Sequence, residues 1–160
     1  RNRHEMRYMP PEAVESWVRS KETQLADRNY DPEVAALAIE LRRELILALH
    51  RAGAGLLLGA DSPQIFNVPG FATHRELDVL VAAGLTPYEA LRTGTAAVAE
   101  YLGSNTGIVL VGRDADLVLL DANPLDDIGN SRRIHGVMLR GEWHTARELE
   151  RRLAPYRGGL

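Results

Sequence analysis

Cysteine is absent from all 160 residues. Disulfides, thiolate metal sites and a cysteine nucleophile are therefore excluded, and redox state says nothing about compartment. Lysine is nearly absent too: Lys21 is the only one, and arginine supplies the rest of the basic charge. The net charge is -3. With no basic stripe to match phosphates, nucleic acid is not an expected partner. No apolar run reaches membrane-spanning length, and Arg1-Asn2-Arg3-His4-Glu5 is not followed by a signal-like apolar core. No membrane partner is expected; the compartment is open, with the cytoplasm favoured. Histidine is sparse (His4, His50, His74, His135 and His144), and no two stand as His-x-His. Internal repeats and low-complexity segments are missing as well.

What is present is ordinary globular composition, 45% hydrophobic and 26% charged, in a chain long enough for one medium domain with a real core. The most informative stretch is Gly55-Leu56-Leu57-Leu58-Gly59-Ala60-Asp61-Ser62-Pro63. Its apolar run reads as a short strand over 55–60, buried on both faces. Asp61 ends it. A carboxylate at the C-terminal tip of a buried parallel strand is where chemistry sits in a β/α barrel. The plainer reading of the same residue is an acidic turn or cap before Ser62-Pro63.

Around this strand the pattern is helical. Pro10-Pro11-Glu12 opens a helix over 11–27 with Val14, Trp17 and Val18 on one side. Asp31 and Pro32 open a second, along which Val34, Leu37, Ala38, Leu41, Leu45, Ala48 and Leu49 recur at helical spacing until Gly53. Residues 61–72 form a loop rich in Pro and Gly. Thr73 with Glu76, and Thr86 with Glu89, each match a capping box. The first of these helices is closed by Gly84, and a further helix spans 95–102. Past residue 104 short strands take over: 117–120, then 134–139, with Gly141-Glu142 as a two-residue turn returning through Trp143. A terminal helix is expected over 146–153.

A complete β/α barrel takes about 250 residues. This chain is too short for one, so the strand at 55–60 belongs to something smaller or to part of something larger. Here the residues carry a resemblance. Leu56-Leu57-Leu58-Gly59-Ala60-Asp61, Gly70-Phe71-Ala72-Thr73-His74-Arg75-Glu76-Leu77, Ala83-Gly84-Leu85-Thr86-Pro87-Tyr88-Glu89-Ala90-Leu91 and Gly112-Arg113-Asp114-Ala115-Asp116-Leu117-Val118-Leu119-Leu120-Asp121 follow one another in order and spacing. Together they resemble the amidohydrolase superfamily, in its imidazolonepropionase-like and prolidase-like branch, over about residues 35–144.

The resemblance implies an α/β fold: the C-terminal portion of a TIM (β/α)8 barrel, its last strand and helices, followed by strands of a small composite β-sandwich. The implied division is 1–104 for the barrel part, 105–145 for the sandwich strands and 146–160 for a C-terminal helix and tail. It implies a hydrolase that cleaves amide or cyclic-amide C–N bonds with metal-activated water. Asp61 is then metal ligand and proton shuttle, and His74, at the barrel mouth, is a candidate substrate contact. The implied cofactor is a divalent metal, zinc by preference, in the complete protein. The family's His-x-His pair is missing here, and Lys21 lies in a polar helical stretch unsuited to a bridging lysine. Zinc sites want three or more protein ligands, so metal is expected to be absent or weakly held in this chain alone. The expected partners are a small-molecule amide and either the N-terminal part of the hydrolase or a second copy. The alternative is a non-catalytic fragment that persists by oligomerising.

Overall fold

A computed structural model describes residues 3–158. The termini of the expected barrel and tail segments, at Arg1-Asn2 and Gly159-Leu160, lie outside the described residues. A 3-10 turn at His4–Tyr8 leads into α1 (Pro11–Ala26) and α2 (Pro32–Arg51). Both long helices start at proline, whose missing N–H costs nothing in a first turn. Asp31 caps α2 as expected, its Oδ1 accepting from the amides of Glu33 (2.8 Å) and Val34 (3.3 Å).

After α2, residues 54–62 belong to no helix or strand. The expected strand over 55–60 joins no sheet among the described residues. A strand needs a neighbour to complete its ladder, and here the nearest backbone partner is a helix: the Leu58 amide donates to the Thr93 carbonyl at 3.0 Å. Nor are both faces buried. Leu56 and Leu58 pack on the core, whereas Leu57 is 45% exposed on the other side.

Helices α3 (Phe71–Ala82), α4 (Pro87–Thr93) and α5 (Ala96–Leu102) follow the loop. The core sits where they meet. Leu77, Leu80, Leu85 and Ala90 are buried there with Ile128, ringed by Ile46, Leu47, Leu56, Leu58, Val81 and Leu91. Gly84, at φ 112°, lets the end of α3 approach α2, because a Cβ there would stand 2.9 Å from a Leu47 methyl. The capping box at α4 forms: Glu89 N donates to Thr86 Oγ1 (3.3 Å) and Thr86 N donates to Glu89 Oε2 (2.7 Å). The one read at Thr73 and Glu76 does not. α3 starts three residues earlier, with Gly70 in the cap position and Phe71 first in the helix, because Gly70 (φ 78°) turns the chain and the Ala72 amide already reaches the Val68 carbonyl.

Three antiparallel strands, β1 (Leu117–Leu120), β2 (Ile134–Leu139) and β3 (Glu142–Thr145), form a sheet in the order β1-β2-β3. The hairpin turn falls at Arg140-Gly141, one residue before the expected pair. Both residues have positive φ (51° and 81°), as a twist-matched two-residue turn requires. Asp116 holds it by accepting from the Arg140 amide (2.6 Å). His144, on β3, is buried where α6 (Ala146–Leu153) packs against β2 and β3. The fold is thus mixed α/β with a small three-stranded sheet.

One pH dependence follows from the α4 cap. The Glu89 carboxyl is pulled down to about 2, first by the Thr86 backbone amide, then by His50, whose Nε2 lies 3.0 Å away, and by the Thr86 hydroxyl. A carboxyl lower in the folded than in the unfolded chain stabilises the fold above its ordinary 4.5, and that contribution fades as pH falls toward 2. Wild type should therefore be more resistant to denaturant than E89Q at neutral pH. In circular dichroism the two curves should converge through that acid window.

Candidate active site: the Asp61 loop and its supports

Asp61 stands at the C-terminal end of the apolar segment with its side chain exposed. Its backbone is left-handed (φ 47°), and so is that of Phe66 (φ 58°) in the same loop. Two non-glycine residues in this region within six positions mark a loop held by its surroundings. The supports are specific. Gln64 Nε2 donates to Asp61 Oδ2. The Gln64 and Asn67 backbones bridge one another, the Asn67 amide donating to the Gln64 carbonyl at 2.8 Å. Asn67 Nδ2 donates to the Ala60 carbonyl (2.6 Å), the peptide that leads into Asp61. Trp17 from α1 sets its ring edge-on against Phe66, with centroids 5.8 Å apart. Trp17 is thus a packing anchor.

Arg75, on α3, ties these parts together. It donates to the Phe66 carbonyl (2.8 Å), to Asn67 Oδ1 (3.3 Å) and to Glu5 Oε1 (2.9 Å). Sequence reading stopped at its neighbour His74 and passed over Gln64, Asn67 and Arg75. Their signal was present only as polar residues packed into a short Pro/Gly loop and a helix start.

His74 is half-buried, with Nδ1 3.0 Å from Oγ of the buried Ser131. Beside it Arg132 pairs with Asp78, so α3 is stapled to the 3-10 turn at Ile128–Arg132. Asp61 and His74 are thus engaged with different partners, and the link between their segments runs through Asn67 and Arg75. Burial holds the His74 ring below its ordinary 6.5, Arg132 adds to the effect and Asp78 opposes it. A histidine that resists protonation when folded makes the fold lose stability as pH drops below 6.5. An H74Q chain, lacking that titration, should lose less between neutral pH and mildly acidic pH in thermal melts.

Among the described residues, no group of three or more His, Asp or Glu side chains is placed to hold a metal ion. Asp61 alone is an open carboxylate, with one oxygen taken by Gln64. The residues present fit one ligand of a metal set, and the described residues supply no further member. No helix among them is long and apolar enough to cross a membrane.

Comparison with known proteins agrees with this frame. The chain is 37% identical over 82 residues to the ochratoxinase of Aspergillus niger, an alignment covering 49% of this chain and 16% of that protein. A putative prolidase from Bifidobacterium longum matches at 36% identity and a TM-score of 0.57, over 69% of this chain and 29% of that one. A bottromycin amidohydrolase matches at 27% identity and a TM-score of 0.76, over 98% of this chain and 36% of its own. The chain therefore spans about a sixth of the curated relative and about a third of these solved structures. The sequence pattern of the amidohydrolase family matches residues 9–144, most of the length, and the chain belongs to that family.

Proposed function

We propose that this chain is the C-terminal part of a metal-dependent amidohydrolase acting on the C–N bond of a small linear or cyclic amide. Residues 55–60 serve as the last strand of a β/α barrel within the region 1–104, and 105–145 contribute strands to a composite sandwich. The observation that supports this best is the Asp61 carboxylate, set open at the end of an apolar segment on a loop pinned by several hydrogen bonds. In this reading Asp61 is one ligand of a divalent cation, zinc by preference. Such an ion, when bound, makes a water molecule acidic near neutral pH. Asp61 takes up a proton on its carboxylate and gives it up to the leaving nitrogen. His74 lies at the start of α3, just past this loop, and is a candidate for substrate contact. Elemental analysis of the purified chain tests the reading. Substoichiometric zinc is expected, together with a His-x-His segment encoded upstream of Arg1. One or two tightly held zinc ions per 160-residue chain would overturn the incomplete centre.

A second reading, a non-catalytic fragment that persists by association, is favoured by one observation. The apolar stripe of α2 has no cover, and none of that helix is buried. In this reading a second copy takes the place of the missing barrel, and no upstream His-x-His segment is found.

A further inference from the structure

We propose that Arg75 is the positioning residue of the Asp61 loop, acting through Asn67 rather than by touching substrate. The inference rests on the role proposed for Asp61. The path is short. The Arg75 guanidinium donates to Asn67 Oδ1, and the other end of the same amide donates to the Ala60 carbonyl. That carbonyl belongs to the peptide plane from which Asp61 departs. The same Nη2 also donates to the carbonyl of Phe66, a residue in left-handed conformation whose ring Trp17 meets edge-on. The third contact is Glu5, 70 positions earlier in the chain, whose side chain is 14% exposed against 27% for Arg75. The partial burial of this pair limits screening by solvent. It occupies Nη1 and leaves Nη2 to the loop.

Arginine is needed here for geometric reasons. A planar fork lets Nη2 serve the two loop acceptors while Nη1 serves Glu5; a lysine ammonium keeps the charge and loses the fork. His74, one residue away, is turned to Ser131 and takes no part in this path.

NMR on the 160-residue chain tests the proposal without any turnover. In R75M, amide exchange at Asn67, and the signal of its side-chain NH2, should report a released loop, with exchange faster by about tenfold or more. The amides of Ala83, Leu85 and Ala90, bonded at the core helices, should be unmoved. R75K separates positioning from charge pairing. If only the ion pair with Glu5 mattered, lysine would restore loop protection; the fork requires that it restore overall stability and leave Asn67 fast-exchanging. Full restoration by lysine, or unchanged exchange in R75M, overturns the proposal. Should R75M fail to fold, N67A keeps the Arg75–Glu5 pair and breaks the same path. The Gln64 side-chain amide that meets Asp61 should then shift, and an unshifted signal overturns the proposal equally. These readouts do not involve catalysis. A failed clamp leaves the role of Asp61 standing, and an active D61N enzyme leaves the clamp standing.

Discussion

Asp61→Asn is expected to lower hydrolysis by about 10²–10⁴-fold in the complete enzyme, the range for removing a positioned proton carrier. The loop should stay folded. Asparagine has nearly the same shape, keeps an acceptor for the Gln64 side-chain amide, and tolerates the left-handed backbone that Asp61 adopts at φ 47°. What it lacks is an oxygen that takes up and releases a proton. The side chain is exposed, so no desolvation penalty accompanies the change. Rate loss and stability are therefore separable: kcat falls, while the thermal midpoint and far-ultraviolet spectrum stay with wild type. D61A removes the local side-chain help for a left-handed residue and should be less stable by about 1 kcal/mol. A D61N enzyme turning over within a few-fold of wild type sinks the proton-carrier role.

Helix ends were the most legible part of the sequence, because their signals are local. Asp31 with Pro32, and Thr86 with Glu89, satisfy amides within three residues of themselves, and no distant partner is needed. Thr73 with Glu76 shows how the same signal misleads. Gly70, free to adopt positive φ, started the helix earlier and placed both residues inside it, with burial now raising the Glu76 carboxyl above its ordinary value. The segment 55–60 is apolar as read, but among the described residues it forms no strand, and it is not covered on both sides. Pattern reports what a residue type prefers, while cover depends on which other chain segments are there to supply it. The supports of Asp61 were the least legible. Glu5, Asn67 and Arg75 converge across up to 70 positions of sequence, and nothing in their spacing announces a meeting. Family membership was readable because four weak local patterns occurred in order, a constraint much stronger than any one of them.

The largest physical anomaly is the bare face of α2, and it leads to an expected outcome for the isolated chain. Val34, Leu37, Leu41, Leu45 and Leu49 are between 41% and 61% exposed along one stripe. Covering what remains of each supplies about 1 kcal/mol. A two-fold pair that buries the stripe of both copies gains roughly 10 kcal/mol. Association itself costs about 4–15 kcal/mol. The two nearly cancel, so the stripe by itself supports weak, concentration-dependent pairing. Val109, Leu110 and Val111 are exposed too, as are Val118 and Leu119 on β1, an edge strand of the sheet. A partner that covers these as well as the α2 stripe gains more than one that covers the stripe alone. Light scattering of the purified chain across a wide concentration range should show mass rising with concentration. L41Q with L45Q removes about 4 kcal/mol from a symmetric pair, close to a thousandfold in Kd. Glutamine is a good helix former, so helix content should hold. A monomeric wild type at all concentrations rules out the pairing, and a double variant that associates as wild type does moves the contact away from α2.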